Sequence, residues 1–259
     1  MEILFQLPTW LGILIVVSFF TITGLIVVIL TRKLIKHRFT KQYEKIGQLF
    51  FRVSAGVIAL LISLSYANER VEQIKLRDSM ELEASLIVNV IVKLQIYDSE
   101  EAVEILKKVV LYVNHIIDDK WENIEANPFF SDSSVALIGV MGLAYNLPTI
   151  NKKQEKIKED ILSEVNQIFK LMQVRIYSQG SYMPYLVYIL FVGMLILWVF
   201  FTVYEQNIIS LGFLTLYNIF IAILIYFIFI LSNPLIGELK MDANSFSIIK
   251  TKGFDQKLK

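Results

Sequence analysis

Three long stretches without a charged residue constrain the fold of this chain more than any other feature. They cover residues 3–31, 176–204 and 206–237. A helix that crosses the hydrocarbon core of a bilayer needs about 20 consecutive apolar residues, and each stretch is longer than that. The chain as a whole is 55% hydrophobic and 19% charged, whereas soluble domains carry about 25% charged residues. The sequence therefore predicts an integral membrane protein.

A fourth, shorter apolar stretch predicts one more span. Residues 53–68 carry no charge. The stretch reaches spanning length when residues 46–51 are added, with Arg52 near one end, where a long side chain can reach the headgroups. Taken alone, the stretch could instead be a buried core helix. The four predicted spans cover residues 11–31, 49–67, 185–204 and 208–231.

The spans divide the chain into four parts. Residues 1–67 hold the first transmembrane pair with a basic linker over 32–47, and residues 182–232 hold a transmembrane hairpin followed by a tail over 233–259. Between the pairs, residues 68–181 contain 13 Lys/Arg and 18 Asp/Glu, as expected for a domain that faces water. The predicted fold is an all-α membrane protein with four transmembrane helices in two pairs and a helical extramembrane domain.

Apolar residues at helical spacing predict the inner faces of the extramembrane helices. A short apolar helix is predicted over residues 134–146. For the longer helices we expect three inner faces, formed by Val71, Ile74, Leu82, Leu86, Val90 and Leu94, by Val103, Leu106, Val110, Val113 and Ile117, and by Ile157, Ile161, Val165, Ile168 and Met172.

The linker after the first span predicts the orientation of the chain. It carries six basic residues against one Glu, and short loops rich in Lys and Arg stay in the cytoplasm. We therefore expect loop 32–47 to be cytoplasmic and domain 68–181 to lie on the opposite side of the plasma membrane. The six basic residues are Arg32, Lys33, Lys36, Arg38, Lys41 and Lys45.

An Asn-Pro step predicts the end of the last span. Proline cannot continue a helix, and the residue before it is biased away from helical geometry. Asn233 and Pro234 therefore form a helix stop, with Gly237 shortly after it. Leu235, Ile236 and Phe246 are expected to fold the tail back against the extramembrane domain.

Four stretches, taken in order, resemble a known family. They are GQLFFRVSAGVIALLISLSYANER, ELEASLIVNVIVKL, YVNHIIDDKW and SNPLIG. The last is similar to a terminal Asp-x-Pro-Phe-x-Gly signature: Pro234 and Gly237 match, whereas Ser232 and Leu235 replace the usual Asp and Phe. This order resembles the bestrophin-like family, a domain-of-unknown-function family of membrane proteins, and more distantly the bestrophin anion channels.

The resemblance implies a pore along the second span, since that span lines the pore in bestrophins. One stripe of this span consists of Ser54, Ile58, Leu61, Ser65 and Asn68. In a ring of subunits it would form an apolar neck between polar collars, and such constrictions gate by dewetting. The alternative is that its small and hydroxyl residues only permit close helix packing. Bestrophins keep their middle region in the cytosol, opposite to the orientation that the basic linker predicts.

The function predicted in this way is a homo-oligomeric channel that passes small inorganic ions, anions by analogy. The alternative function is a membrane-anchored helical sensor or interaction protein without a pore. No charged residue lies inside the spans apart from Arg52 near one end of the second, which disfavours a pump. Within the last span, Asn218 and Thr215 predict interhelical hydrogen bonds, with a ligand contact of Asn218 as the alternative.

Several classes of chemistry are disfavoured by the sequence. The chain has no cysteine, and its two histidines, His37 and His115, are far apart, so we predict no metal site and no cofactor. No phosphate-binding loop or nucleophile motif indicates an enzyme. The net charge of +1 argues against a nucleic-acid partner. The expected partners are the bilayer and further copies of the chain, and the Lys-, Ile- and Asn-rich composition is typical of a bacterium.

Overall fold

The structure, a computed structural model, describes residues 7–35, 41–118, 132–178, 183–205, 207–234, 241 and 244–251. These residues contain helices and no strand, which confirms the all-α prediction. Over the described ranges the helices are α1 (Thr9–Leu34), α2 (Lys41–Tyr97), α3 (Glu100–Asp118), α4 (Asp132–Tyr145), α5 (Lys152–Tyr177), α6 (Met183–Phe201), α7 (Ile208–Leu231) and α8 (Asn244–Thr251).

Three of these helices are long and apolar enough to cross a membrane. They are α1, the Glu44–Tyr97 part of α2, and α7. The other predicted span corresponds to α6, whose fully described part, Tyr188–Phe201, is apolar but shorter. The chain is thus an all-helical membrane protein with three helices of spanning length among the described residues.

The chain divides into two compact units. Unit 1 comprises Met1–Gln73 and Ser181–Leu239, and unit 2 comprises Ile74–Gly180 and Lys240–Lys259. Helix α2 contributes residues to both units. The last helix, α8, belongs to unit 2 although it follows the last apolar helix in sequence.

Unit 1 is built by packing α1 and the first half of α2 against α6 and α7. Trp198 of α6 is fully buried at the centre, next to Phe20 of α1 with ring centroids 6.3 Å apart. On α2, Ile58 and Ile62 are buried in the same apolar cluster. Aromatic and aliphatic contacts between helices hold this unit together, as expected where lipid gives no hydrophobic driving force between helices.

The turn from α6 to α7 is short, as the predicted hairpin requires. Asn207 caps α7, and its side-chain oxygen accepts a hydrogen bond from the Ser210 amide at 2.7 Å. At the other end, α7 stops at Leu231. There the side-chain amide of Asn233, through Nδ2, donates to the Phe229 carbonyl oxygen at 3.2 Å. This contact satisfies a backbone group left open by the helix end.

Unit 2 has its core between the second half of α2 and helices α3, α4 and α5. The predicted inner face of α2 is wrong at three positions, since Val71, Ile74 and Leu82 are 49%, 46% and 51% exposed. The predicted residues Leu86, Val90 and Leu94 are buried. The observed inner face begins with Leu76, Met80, Glu83 and Ile87. The buried face of the helix therefore includes a charged residue.

The other inner faces follow the prediction more closely. In α5, Ile161, Val165, Ile168 and Met172 are buried as predicted and Ile157 is half-buried. In α3, Leu106 and Val113 are buried as predicted, Val110 and Ile117 are half-buried, and the prediction for Val103 is wrong because its side chain is 45% exposed. The buried face of α3 is shifted by one residue from the predicted face. The buried residues there include Ala102, Ile105, Val109, Tyr112 and Ile116.

The tail returns to unit 2 through α8, which packs against α3. Phe246 is fully buried and Ile249 is 4% exposed. The prediction that Phe246 folds back onto the extramembrane domain is therefore confirmed. Leu235 and Ile236 lie outside the described residues.

Candidate functional site

The predicted pore-lining stripe of α2 is divided between the interior and the edge of unit 1. Ile58 is 2% exposed and faces α6, where a Cβ on Gly193 would lie 3.2 Å from its side chain. Ser65 is 4% exposed, and its hydroxyl donates to the Leu61 carbonyl oxygen at 2.5 Å. Ser54 and Leu61 are half-buried, and Asn68 is exposed. A role of this stripe in a pore stays a prediction.

The opposite face of α2 at the same level is uncovered. Leu60 is 72% exposed, and a Cβ built on Gly56 would meet nothing within 4 Å. Ala59 and Ser63 are exposed as well. Gly56, Ala59 and Ser63 follow one another at helical spacing, so they form one exposed row of small residues along α2.

A polar contact joins the two helices of the hairpin. The Trp198 indole N–H donates to Asn218 Oδ1 at 2.9 Å, and both side chains are fully buried. Gly24 of α1 makes room for this pair, because a Cβ there would lie 2.5 Å from Asn218 Nδ2. Thr215 is half-buried. Asn218 therefore engages a neighbouring helix, and its Nδ2 has no hydrogen-bond acceptor among the described residues.

The predicted basic linker and helix stop are only partly described. Arg32, Lys33 and Lys45 are exposed. Lys41 is the first residue of α2. Asn233 and Pro234 follow the end of α7. Lys36, Arg38 and Gly237 lie outside the described residues.

A buried charged cluster in unit 2 is the most unusual polar feature of the chain. Glu83 of α2 is 0% exposed and Arg175 of α5 is 2% exposed. The Arg175 guanidinium donates to Glu83 Oε1 at 3.3 Å. The Tyr112 hydroxyl of α3 donates to the same oxygen at 2.5 Å. Charged residues are almost never fully buried unless they are paired, so these three side chains form one structural unit.

The C-terminal tail completes this cluster. The Phe246 ring lies beside the Arg175 guanidinium, 5.9 Å from its carbon to the ring centroid. A guanidinium at this distance is attracted to the ring face, and the attraction is stronger where water is excluded. Four helices, α2, α3, α5 and α8, thus each contribute one side chain to what we call the buried charge cluster, Glu83, Tyr112, Arg175 and Phe246.

Burial and the neighbouring charges shift the pKa values of Tyr112 and Arg175. Burial, and next the charge of Glu83, raise the pKa of Tyr112 well above its ordinary value, so its phenol remains protonated and donates. Burial is the largest influence and lowers the pKa of Arg175, but the attractions and hydrogen bonds to Glu83 and Tyr112 together outweigh it, and the net pKa is raised. Glu83 Oε2 has no hydrogen-bond partner among the described residues. The cluster can fix the relative positions of its helices, but it offers no open site for a reaction.

Sequence reasoning missed this cluster, although two of its members lie in stretches that carry the family resemblance. Glu83 belongs to ELEASLIVNVIVKL and Tyr112 to YVNHIIDDKW. One local pattern could have indicated it. Glu83 lies between Met80 and Ile87 at helical spacing, so it is a single charged residue on an apolar stripe. Its partners are 29 and 92 residues away, which no local pattern reveals.

No metal site is evident in the part of the chain that the structure describes. Over those residues, no group of three or more His, Asp or Glu side chains is arranged to hold an ion. The acidic residue Glu101 instead sits at the start of α3, where its own backbone amide and then the Ser99 hydroxyl lower its pKa. Such contacts are typical of a helix N-terminus.

Helices of spanning length and a helical second unit with a buried charge cluster define a multi-pass helical membrane protein. The comparison with protein families then identifies it more closely. A sequence model of the bestrophin-like domain matches residues 18–246, which is most of the 259-residue chain. The chain therefore belongs to the bestrophin-like family, and the resemblance found in its sequence is confirmed. No curated protein and no solved structure gives a significant match.

Proposed function

We propose that the chain is a four-span protein of the plasma membrane that assembles with copies of itself into a channel for small ions. The preference for anions is taken from the more distant resemblance to bestrophins. The observation that carries the proposal is the uncovered face of α2 at membrane level. A pore between subunits needs a spanning helix whose surface is not filled by the subunit's own core, and α2 offers one around Gly56 and Leu60.

The lumen is proposed along the edge of α2 between the predicted stripe and the exposed row. Ile58 and Ser65 pack within unit 1 and would support the helix from behind. Leu61 keeps partial exposure and is the proposed apolar neck. Widening an apolar constriction favours its hydration, so Leu61→Ala should raise ion flux.

The proposed orientation follows from the basic residues at one end of unit 1. Loop 32–47 would be cytoplasmic, and domain 68–181 would lie on the opposite side of the membrane, by the bias of short basic loops toward the cytoplasm. Labelling of a cysteine placed at exposed Lys153 by an impermeant reagent on intact cells would test this sidedness, with Lys45→Cys as the matched control from the other side.

Cysteine scanning tests the channel directly, because the chain has no cysteine of its own. Single variants Ser54→Cys, Leu61→Cys and Asn68→Cys sample the predicted stripe, and Gly56→Cys, Ala59→Cys and Ser63→Cys sample the exposed row. The purified proteins are reconstituted in liposomes, and ion flux is measured before and after a charged, impermeant thiol reagent. The reagent should reduce flux about tenfold only at positions that line the lumen.

Two results would overturn the proposal. One is flux from the wild-type protein at the level of protein-free liposomes. The other is wild-type flux that no position on α2 makes sensitive to the reagent, which would move the pore elsewhere. The control is Ile58→Cys, which should not react while the fold is intact because Ile58 is 2% exposed.

A second function is favoured by a different surface. Helix α4 exposes apolar side chains in unit 2, with Val135, Ile138 and Tyr145 exposed by 56%, 52% and 73%. Exposed apolar surface of this kind marks protein interaction sites. A membrane-anchored sensor or interaction protein is therefore the alternative. A monomeric, folded protein without flux would favour it.

A further inference from the structure

Four exposed cations lie near helix ends of unit 1. Arg32 and Lys33 are in the last turn of α1, and Lys45 and Arg52 are near the start of α2. No acidic side chain among the described residues forms an ion pair with any of them. Glu44, which is half-buried, and Glu205, which is exposed, are the acids closest in sequence to these ends. The described part of unit 1 therefore offers these four cations no ion-pair partner.

The packing register brings Arg32, Lys33 and Lys45 to the same level of the unit, with Arg52 about two turns deeper. A Cβ on Gly24 would meet Trp198, and one on Gly47 would meet Val203. At 1.5 Å per residue, Arg32 lies roughly 12 Å beyond Gly24 along α1. Val203 likewise lies roughly 8 Å beyond Trp198 along the chain. Arg32 and Lys45 are therefore both level with the turn between α6 and α7.

Aromatic side chains line the same edge just inside Arg32, Lys33 and Lys45, and at about the level of Arg52. Phe50 stacks on Phe200 with centroids 5.4 Å apart, and Phe51 meets Tyr204 edge-on, also at 5.4 Å. Phe50 is 51% exposed. Aromatic rings are enriched where a membrane-spanning protein crosses from acyl chains to headgroups. Cations and aromatic residues thus occur in the order that a lipid presents its phosphate and its chains.

We propose that this edge binds anionic phospholipids, whose phosphodiesters accept hydrogen bonds from Arg32 and Lys33 on α1 and from Lys45 and Arg52 on α2. The acyl chains would run along the exposed side of Phe50. Guanidinium groups suit phosphate because their donors match its oxygens in pairs. Arg52 lies two turns deeper than Lys45 and reaches the same phosphate level by extending its side chain along the helix. This inference is independent of whether the chain conducts ions.

Lipid competition tests the proposal on the full chain in nanodiscs. Phosphatidylglycerol and phosphatidylcholine are mixed at known ratios, and native mass spectrometry counts the lipids retained on the protein. The wild type should retain phosphatidylglycerol preferentially. Each Gln substitution at the four cations should weaken that preference about fivefold, the effect of one juxtamembrane cation near an anionic surface. High salt should weaken it too.

The matched control removes the same charge elsewhere. Lys152→Gln, Lys153→Gln, Lys156→Gln and Lys170→Gln change exposed lysines of α5 in unit 2 and should leave the preference unchanged. Equal retention of both lipids by the wild type would overturn the proposal, as would an equal loss in the control. Displacement of the lipid by inorganic phosphate alone would also overturn it in favour of a soluble anion site. If a variant that combines all four Gln substitutions fails to fold, the single variant Arg52→Gln provides the test.

Discussion

At the scale of single residues, the pairing of Glu83 with Arg175 decides how unit 2 tolerates substitution. Breaking a buried pair by removing one partner leaves an uncompensated charge and costs about 3–5 kcal/mol, whereas replacing both partners by apolar residues is often neutral. We expect Glu83→Leu and Arg175→Met each to lower the free energy of unfolding by about this amount. The double variant should recover most of the loss, as measured by urea titration in detergent.

The exposed pair Arg77–Glu81 is the control for this cycle. Its atoms are 3.0 Å apart, closer than those of the buried pair, but its side chains are 71% and 53% exposed. Surface pairs contribute little because water and salt screen them. Removing either partner should therefore change stability only slightly. Additive losses in the Glu83/Arg175 double variant would show that the two charges do not depend on each other.

The raised pKa of Tyr112 predicts that the free energy of unfolding decreases at alkaline pH. Its pKa is raised by burial and by Glu83, so the unfolded chain loses this proton at a lower pH than the folded chain. The contribution of the neutral phenol is complete below about pH 10, the ordinary pKa of tyrosine. It is lost as pH rises from there through the folded-state pKa. We expect wild-type stability to fall above about pH 10 and Tyr112→Phe to fall less steeply.

The comparison of unfolding free energies at two alkaline pH values isolates this effect from the titration of other groups. Tyr112→Phe should also be less stable than the wild type at neutral pH, because Glu83 loses a donor. The exposed Tyr145, at 73% exposure, provides the control: Tyr145→Phe should keep the wild-type slope. A wild-type slope in Tyr112→Phe would show that the phenol already ionises freely in the folded state.

At the scale of helices, glycine sets how closely α1 approaches its neighbours. A Cβ at Gly24 would lie 2.9 Å from the Trp198 ring and 2.5 Å from Asn218 Nδ2. Both side chains are fully buried, so neither can move aside. We expect Gly24→Ala to destabilise unit 1 by about 1–3 kcal/mol through overpacking, measured as a lower melting temperature in detergent.

Gly212 of α7 is the control for this prediction, because a Cβ there would meet nothing within 4 Å. Alanine is the better helix former by about 1 kcal/mol, so Gly212→Ala should leave the melting temperature equal or higher. A melting temperature for Gly24→Ala at or above that of the wild type would show that α1 can move away from the Trp198–Asn218 pair.

The helices themselves could be predicted from sequence, but the phase of some could not. In α5, charged residues occupy the outer positions, and the buried residues Ile161, Val165, Ile168 and Met172 were predicted. In the apolar first half of α2, apolar residues surround the helix, so periodicity does not select a face there. Val71 and Ile74 are exposed whereas Glu83 is buried, and the partners of Glu83 come from distant helices. Likewise nothing in the local sequence distinguishes Ile58, which is 2% exposed, from Leu60, which is 72% exposed.

At the scale of the whole molecule, the C-terminal tail belongs to the same unit as the middle of the chain. Unit 2 is assembled from Ile74–Gly180 and Lys240–Lys259, separated in sequence by the α6–α7 hairpin. The family match ends at residue 246, the position of the ring that covers Arg175. The matched range thus includes Phe246, the last member of the buried charge cluster, and α8 is part of unit 2.

This dependence predicts how unit 2 responds to loss of the tail. Removing residues 244–259 takes away Phe246 and Ile249, which are 0% and 4% exposed, and opens the Glu83–Arg175 pair to water. Replacing a large buried aromatic by alanine costs about 3–5 kcal/mol, so both the truncation and Phe246→Ala should make unit 2 unfold earlier and be cleaved faster by protease. Removing only residues 252–259 keeps α8 and should leave the cleavage rate unchanged.

Phe246→Leu keeps the apolar contact but removes the ring, so a stability between wild type and Phe246→Ala would measure the attraction between the ring and the guanidinium. If all these proteins were cleaved at the wild-type rate, α8 would rest on a unit that is stable without it, and the burial of Arg175 would depend on α2, α3 and α5 alone.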